Sequence, residues 1–120
     1  MIVLAGHGSR SAEANAALEA LAAQVAARLG SPVVPGFLEM TEPTIPAAID
    51  GAVAAGARRV VVLPYFLHPG MHVRRDLVEI VEAARARHPG VTFELSEFLG
   101  GRPEIADVLT SLARSALGSG

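Results

Sequence analysis

The strongest strand signal in the sequence is the run Arg58-Arg59-Val60-Val61-Val62-Leu63, which Pro64 follows directly. Four consecutive apolar residues, three of them β-branched, are typical of a strand whose two faces are both buried. Strands of this kind occur in parallel sheets, because crossover helices cover both faces of such a sheet. The run therefore predicts an inner strand of a parallel sheet, covered on both faces.

Strand and helix signals alternate along the rest of the chain. Short apolar segments predict strands at residues 2–5, 32–38 and 91–95, of which the second is weakened by Pro35. Helical spacing of apolar residues predicts helices at 12–29, from the segment Thr41-Glu42-Pro43-Thr44 to Gly56 with Pro43 in the first turn, at 72–87, and at 103–117. In the last helix, four apolar residues are predicted to face the core: Ile105, Val108, Leu109 and Leu112.

This order of elements predicts the fold class. The alternation βαβαβαβα with short connections requires right-handed crossovers and a mostly parallel, four-stranded sheet with helices on both faces. A chain of 120 residues has the size of one domain, and it contains no linker or internal repeat. Residues 1–120 are therefore predicted to form a single α/β domain.

The composition excludes several chemistries. The chain contains no cysteine, and all ten of its basic residues are arginine. A disulfide framework, a thiolate metal site, a Schiff-base lysine and a phosphate-loop lysine are therefore absent. A net charge of −2 without a basic stripe indicates no nucleic-acid partner. No organic cofactor is predicted.

The location expected from the sequence is the cytoplasm. The segment before Gly6-His7-Gly8 is too short and too uncharged for a signal peptide, and no apolar run approaches the length of a membrane span. The absence of cysteine gives no link to an oxidising compartment. The protein is therefore predicted to be soluble and unprocessed, with no membrane partner.

Polar residues suited to catalysis follow each predicted strand. In a parallel sheet, ligands bind beyond the carboxyl ends of the strands. The first strand is followed by His7, Ser9 and Arg10, the second by Glu39, the third by Tyr65, His68 and His72, and the fourth by Glu97. Two or three imidazoles and one or two carboxylates are thus predicted to converge. Glu97 belongs either to the rim of this site or to plain surface, whereas His88, at a helix end, is predicted to be structural.

Several of these residues have structural alternatives. The glycines on either side of His7 would let a bulky ligand approach its imidazole, but they also suit a simple turn. Ser9 is either a helix cap or a ligand contact, and Arg10 is either a surface charge or an anion clamp. Arg74 and Arg75 lie at a helix start, where cations are unfavourable unless an anion binds them. The pair therefore points to a ligand that carries carboxylates or phosphates.

The order and spacing of the motifs resemble a known family. They closely resemble the short CbiX-type sirohydrochlorin chelatases over nearly the whole chain, and the fold of that family agrees with the sheet predicted above. The motifs that carry the resemblance are Gly6-His7-Gly8-Ser9-Arg10, Phe37-Leu38-Glu39, Pro64-Tyr65-Phe66-Leu67, Gly70-Met71-His72-Val73-Arg74-Arg75-Asp76 and Leu99-Gly100.

The resemblance implies a reaction and an assembly. The protein is expected to be a lyase-class cobalto- or ferrochelatase that inserts Co²⁺, Fe²⁺ or Ni²⁺ into sirohydrochlorin, in cobalamin or siroheme biosynthesis. His7 and His72 are implied to bind the metal, and Glu39 to accept protons or to help deliver the metal, whereas His68 lies outside the pattern. Short members resemble one half of the larger two-domain chelatases, which implies a homodimer with the macrocycle between its subunits.

The implied chemistry fits the residue types. Insertion removes two pyrrole protons while the metal loses water, and a neutral imidazole is both ligand and base near neutral pH. Imidazole with a carboxylate suits borderline divalent cations better than Mg²⁺. Arginines would pair with the carboxylates of the substrate. The residues predicted to bind substrate are Ser9, Arg10, Tyr65, Arg74 and Arg75.

Two other functions remain open at this point. A phosphohistidine phosphatase is disfavoured, because the order Gly-His-Gly-Ser-Arg at residues 6–10 differs from the usual Arg-His-Gly signature. A non-catalytic carrier of metal or tetrapyrrole would use the same edge of the sheet. The residue types do not discriminate among cobalt, iron and nickel, and the sequence does not say which subunit contributes which histidine.

Overall fold

Strands and helices alternate through the chain, of which the computed structural model describes residues 1–118. The strands are β1 (Ile2–Gly6), β2 (Val33–Phe37), β3 (Arg59–Pro64) and β4 (Thr92–Leu95). The helices are α1 (Ala12–Leu29), α2 (Ile45–Ala54), α3 (Met71–Arg87) and α4 (Glu104–Gly118), with a 3₁₀ turn at Leu99–Gly101 before α4. The predicted order βαβαβαβα is confirmed. The single domain predicted for residues 1–120 extends to residues 119 and 120, which lie outside the described residues.

All four strands pair in parallel, in the order β2-β1-β3-β4. β1 is aligned with β2 so that Gly6 lies opposite Phe37, and with β3 so that Ala5 lies opposite Pro64. The chain moves to one side of β1 to form β2 and to the other side to form β3. Open parallel sheets bind ligands where the strand order reverses in this way. The carboxyl ends of β1 and β3 therefore mark the expected site.

The predicted second strand forms despite Pro35, because β2 lies at the edge of the sheet. The N–H of Phe37 donates to Pro43 O at 2.9 Å, outside the sheet, whereas the N–H of Leu38 donates to Gly6 O at 3.0 Å, on the β1 side. Alternate residues of a strand direct their N–H groups to opposite sides, so position 35 faces away from β1. The proline therefore removes no hydrogen bond from the sheet.

The helix caps differ from those expected. Helix α2 begins at Ile45 rather than at Pro43, because Thr44 Oγ1 accepts a hydrogen bond from the N–H of Ala47 at 3.2 Å. The cap of α1 is Ser11, whose Oγ accepts from the N–H of Ala14 at 3.3 Å. The alternative that Ser9 caps this helix is therefore wrong. Both observed caps satisfy N–H groups that the first helical turn leaves unpaired.

Helices cover both faces of the sheet, as predicted, but unequally. α2 and α3 cover one face, and α1 packs over β1 and β2 on the other, where Leu18 contacts Leu4 and Phe37. Burying a large apolar side chain contributes about 1.5–3 kcal/mol, so these clusters hold the layers together. The buried residues of the α2–α3 face include Val3, Ile45, Ile49, Val60, Val62, Leu77 and Phe93.

Two predictions about burial are wrong. Of the four α4 residues predicted to face the core, Ile105 is half-buried, but Val108, Leu109 and Leu112 lie on the surface, where they are 56%, 60% and 63% exposed. β3 was expected to be covered on both faces, yet Val61 and Leu63 are only half-buried, since α1 packs mainly over β1 and β2 and covers this face of β3 only in part. Periodicity identifies the apolar face of an element, but it does not say what covers that face. No helix among the described residues is long and apolar enough to cross a bilayer.

Candidate metal and tetrapyrrole site

His7 and Glu39 lie side by side at the carboxyl edge of the sheet. Hydrogen bonding between the segments of β1 and β2 continues past both strands, since the N–H of Leu38 donates to Gly6 O at 3.0 Å and that of Glu39 to His7 O at 3.1 Å. This pairing brings His7 Nε2 to 3.5 Å from Glu39 Oε1, with both side chains 55% exposed. The imidazole and the carboxylate are therefore neighbours that remain accessible to a metal ion or a proton donor.

Gly8 explains why glycine follows His7. Its φ is +93°, and a Cβ atom at this position would lie 1.8 Å from the carbonyl oxygen of Glu39. The loop after β1 thus packs backbone against backbone on the segment after β2. Met40, directly after Glu39, also has a positive φ of 73°, a conformation that costs a non-glycine residue about 1 kcal/mol or more. Both segments turn sharply immediately beyond the His7–Glu39 pair.

His72 lies in the first turn of α3 and is exposed. Its Nδ1 is 3.0 Å from Nη2 of Arg75. A guanidinium can only donate, so Nδ1 accepts this hydrogen bond, and the neutral ring then carries its proton on Nε2. A metal ion that takes the Nδ1 lone pair would displace Arg75. The same guanidinium lies near Glu79, with 3.9 Å between Arg75 Nε and Glu79 Oε1.

Arg74 holds the loop between β3 and α3 against the end of β4. Its Nε donates to Pro69 O at 3.1 Å, and its guanidinium carbon lies 4.5 Å from the centroid of the Phe98 ring. Gly100 fixes the same loop from the other side, because a Cβ there would lie 1.9 Å from Leu67 O. The sequence motifs around Phe98 and Gly100 therefore position the loop that leads to His72. Sequence reasoning missed these roles.

A cavity of about 280 Å³ lies beside His7, between α1 and the ends of β1 and β3. Ser9 and Tyr65, both predicted to bind substrate, belong to its lining. Asn15, which sequence reasoning missed, holds the loop above it: its Oδ1 accepts from the N–H of Ser9 at 3.0 Å, and its Nδ2 donates to Ser9 O at 2.8 Å. The sequence signal for this Asn15–Ser9 contact is an asparagine in the first turn of a helix that follows a glycine-rich loop.

Exposed apolar side chains surround the same edge, another feature that the sequence did not reveal. Met40, Tyr65, Leu67 and Met71 are 56%, 48%, 59% and 86% exposed. All four follow β2 or β3, in the segments that carry Glu39 and His72. An apolar rim around exposed polar side chains suits a flat ligand with an apolar face and a charged periphery.

Within the described part of the chain, neither a hydrogen bond nor an ion pair joins the remaining candidates to His7 or Glu39. Glu97 forms an ion pair with Arg102, so its carboxylate is engaged at the end of β4. Arg10 and His68 are exposed, and His68 lies against Gly100. Across residues 1–118, no three histidine or carboxylate side chains come close enough to form a metal-binding group.

The structural role predicted for His88 agrees with its contacts. Its Nε2 lies 2.8 Å from Asp50 Oδ1, and Arg87 Nη2 lies 2.8 Å from the same oxygen. The hydrogen bond from His88, and after it the hydrogen bond from Arg87, hold the pKa of the Asp50 carboxyl below its usual value. The three residues tie α2 to the end of α3, at the end of the sheet opposite His7.

The CbiX family model matches residues 1–116. The chain belongs to the CbiX family. The match spans every motif on which the resemblance depended, from His7 to Gly100, and thus confirms that assignment. It also covers all four strands of the sheet.

Relatives of this CbiX protein are sirohydrochlorin chelatases. It is 33% identical over 117 residues to a chloroplastic sirohydrochlorin ferrochelatase from Arabidopsis thaliana, an alignment that covers 97% of this chain and 52% of that protein. It is 40% identical over 88 residues to a sirohydrochlorin cobaltochelatase from Methanocaldococcus jannaschii, which covers 72% of this chain and 62% of the relative. The chain thus spans about half to three-fifths of the length of these relatives.

A solved structure has the same fold over the full length. The crystal structure of a CbiX protein from Marinobacter aquaeolei VT8 superposes with a TM-score of 0.87 at 28% identity, covering 99% of this chain and 98% of that one. The α/β single-domain architecture predicted from the sequence, with its parallel sheet, is therefore confirmed. In this chain the sheet is all-parallel.

Proposed function

We propose that this CbiX protein is a sirohydrochlorin chelatase, a lyase that inserts Co²⁺ or Fe²⁺, and by ligand chemistry also Ni²⁺, into the tetrapyrrole for cobalamin or siroheme biosynthesis. The observation that carries the proposal is the exposed His7–Glu39 pair, 3.5 Å apart, at the strand-order reversal of a chain that matches CbiX over residues 1–116. The names of the relatives, a ferrochelatase and a cobaltochelatase, support the substrate class and both metals.

His7 and His72 are proposed to present the metal substrate, with Glu39 beside His7. A chelatase must release the ion to the four ring nitrogens, so a complete protein cage would oppose transfer. The loose spacing of His7 and Glu39 suits this need, because it leaves coordination positions open. Imidazole and carboxylate together favour borderline divalent cations over Mg²⁺.

Glu39 and His7 are also proposed to accept protons. As the divalent ion enters, the ring loses two N–H protons and its nitrogens take up the metal, so charge is conserved when two bases receive those protons. An exposed carboxylate 3.5 Å from an imidazole can pass a proton between the two groups and on to solvent. Glu39 is therefore assigned as the catalytic base, with His7 as its partner.

Arginines are proposed to bind the carboxylates of the substrate. Arg10 is exposed, and Arg75 holds Nδ1 of His72 at 3.0 Å. A substrate carboxylate that attracts Arg75 would free this nitrogen for the metal. Arg74, although engaged by Pro69 O through Nε, retains its terminal N–H groups for the same purpose. Ser9 and Tyr65 complete the proposed contacts from the lining of the cavity.

Two copies of the chain are proposed to enclose the macrocycle. The cavity beside His7 measures about 280 Å³, which is below the roughly 300–1,000 Å³ of clefts that hold drug-sized ligands, and the tetrapyrrole is larger than most of these. The chain resembles one half of the larger two-domain chelatases, which hold both halves in one chain. A homodimer would supply the second half here.

The reaction is tested by the visible spectrum of anaerobic sirohydrochlorin with Co²⁺ or Fe²⁺. We expect wild type to accelerate insertion over a protein-free control, and His7→Ala or His72→Ala to lower the rate at least ~100-fold, the usual contribution of a group that transfers protons or binds the reacting ion. His88→Ala is the matched control, because His88 lies at the opposite end of the sheet.

The same assay discriminates the alternative, a non-catalytic carrier. A carrier would perturb the spectrum of the metal or of the ring stoichiometrically without turnover. In addition, Arg75→Gln should raise KM more than it lowers kcat if Arg75 binds a substrate carboxylate. Turnover that His7→Ala and His72→Ala leave unchanged would refute the assigned residues, and no acceleration with any divalent metal would refute the chelatase itself.

A further inference from the structure

An apolar groove runs along the face of the sheet that α1 covers only in part. It has a volume of about 460 Å³, and apolar side chains of β1, α1 and β3 form its floor and one wall, among them Leu4, Val25 and Leu63. Leu99 and Arg102 close it at the far side. Within residues 1–118 no helix fills this groove, although the other face of the sheet carries two helices.

The same chain carries an apolar helix face without a covering surface. Ile105, Val108, Leu109, Leu112 and Ala116 follow the spacing i, i+3, i+4, i+7, i+11 along α4, which places them in one stripe. Val108, Leu109 and Leu112 are more than half exposed, and within residues 1–118 α4 makes more than marginal contact with no element except the 3₁₀ turn before it. A helix in water normally buries such a stripe.

Contacts at the start of α4 hold the helix in a position that leaves its apolar stripe exposed. Arg102 forms ion pairs with Glu97 and with Glu104, the latter at 3.2 Å, so it fixes the first turn of α4 against the end of β4. Gly100 fixes the preceding 3₁₀ turn, because a Cβ there would lie 1.9 Å from Leu67 O.

The dimensions of the molecule agree with a projecting helix. The principal extents are 56 × 33 × 29 Å, and the 15 residues of α4 make a helix about 22 Å long, which accounts for the excess of the first extent over the others. The radius of gyration is 15.6 Å, compared with about 14 Å for a compact chain of this length.

We infer that α4 is exchanged between two copies of this chain, with the apolar stripe of each α4 seated in the groove of the other copy. In a two-fold dimer the same contact forms twice, so the groove of each copy is filled and the apolar stripe of each α4 is covered. Tyr65 lines both the groove and the cavity beside His7, so the exchanged helix would lie next to the proposed site. This inference rests on the two-copy arrangement proposed above and adds the surface that forms it.

The first test is the molar mass in solution by light scattering, over a range of concentrations. We expect wild type at twice the chain mass of 12.4 kDa, and Leu109→Glu/Leu112→Glu at the mass of one chain. The matched control is Ser111→Glu, which places one negative charge on α4 outside the apolar stripe and should stay dimeric. A monomeric wild type, or a dimeric stripe variant, would overturn the exchange.

The second test separates exchange from a helix that folds back. Because the chain contains no cysteine, Val25→Cys can be combined in turn with Val108→Cys, Leu109→Cys or Leu112→Cys and oxidised. Exchange predicts a reducible band of twice the chain mass for at least one pair. A cross-link confined to single chains, or none in any pair, contradicts exchange while a dimeric mass still supports the two-copy arrangement. Neither readout depends on metal insertion, so failure of the chelatase proposal would be seen separately.

Discussion

The two histidine–carboxylate pairs of this molecule, at opposite ends of one sheet, are built differently. His7 and Glu39 are 3.5 Å apart and both 55% exposed. His88 and Asp50 are 2.8 Å apart, His88 is only 22% exposed, and Arg87 joins the same carboxylate oxygen. In the His88–Asp50 pair, the carboxylate oxygen that accepts from both His88 and Arg87 holds α2 against α3. In the His7–Glu39 pair, the longer distance leaves the lone pairs of the imidazole and the carboxylate available, as metal and proton transfer require.

The largest expected effect comes from disrupting the close backbone contact between Gly8 and Glu39, next to the His7–Glu39 pair. Gly8→Ala introduces a Cβ that would lie 1.8 Å from Glu39 O, at a φ of +93°. Strain and overpacking together should lower the free energy of unfolding by roughly 2–4 kcal/mol. Metal insertion should fall as well, because the loop that carries His7 must move. Urea unfolding and the insertion rate measure the two effects.

Gly101→Ala is the control for this prediction. A Cβ at Gly101 meets no atom within 4 Å, and no positive φ is involved, so stability should change by less than about 0.5 kcal/mol. If Gly8→Ala were as stable and active as Gly101→Ala, the close approach of the two loops would not position the His7–Glu39 pair.

Replacing His88 or His7 by alanine should change the free energy of unfolding by different amounts. His88→Ala should lower the free energy of unfolding by about 1 kcal/mol, because a charge-assisted hydrogen bond to Asp50 is lost. His7→Ala should leave it within about 0.5 kcal/mol, since its partner is distant and solvated. Chemical denaturation checks both values. Equal losses of stability from the two variants would mean that the difference in geometry has no energetic consequence.

The smallest expected effect is the loss of folding stability at low pH. The pKa of Asp50 is lowered, first by the hydrogen bond from His88 and next by that from Arg87. A lowered pKa contributes stability that is fully present above the unfolded value, near 3.8, and is lost as pH falls through the folded value. Because Asp50 is half exposed, solvent screening limits this contribution to less than about 1 kcal/mol.

Asp50→Asn tests this sign. The stability difference between wild type and Asp50→Asn should be larger at pH 7 than at pH 3, when both are measured by urea unfolding at the same ionic strength. A difference that stays constant across this interval would show that the carboxylate charge of Asp50 does not stabilise the folded state.

The sequence predicted the sheet because its signals are local. The apolar run of β3 and the helical spacing in α1 and α3 depend on neighbouring residues alone, and each segment appears in the structure within a few residues of its predicted bounds. The failure at α4 has a different cause. Its stripe, from Ile105 to Leu112, identifies an apolar helix face, but the order of elements does not determine whether the same chain covers that face.

The site divides in the same way. His7 and Glu39 lie at the carboxyl edge because each follows closely after the end of a strand, whereas His72 lies in the first turn of α3. The hydrogen bond from Arg75 to His72 and the stacking of Arg74 on Phe98 depend on side-chain rotamers and on contacts between distant segments. No spacing rule in a single sequence contains that information, so these contacts became visible only in three dimensions.

Pro35 has a consequence for how copies of the chain can meet. A free edge strand offers a row of N–H and carbonyl groups to which the edge of another sheet can add. On the outer edge of β2 this row is interrupted at Pro35, and Pro43 O already accepts from Phe37 at 2.9 Å. Continuous sheets running through two molecules are therefore blocked at this edge, so the proline protects the protein against strand-to-strand aggregation.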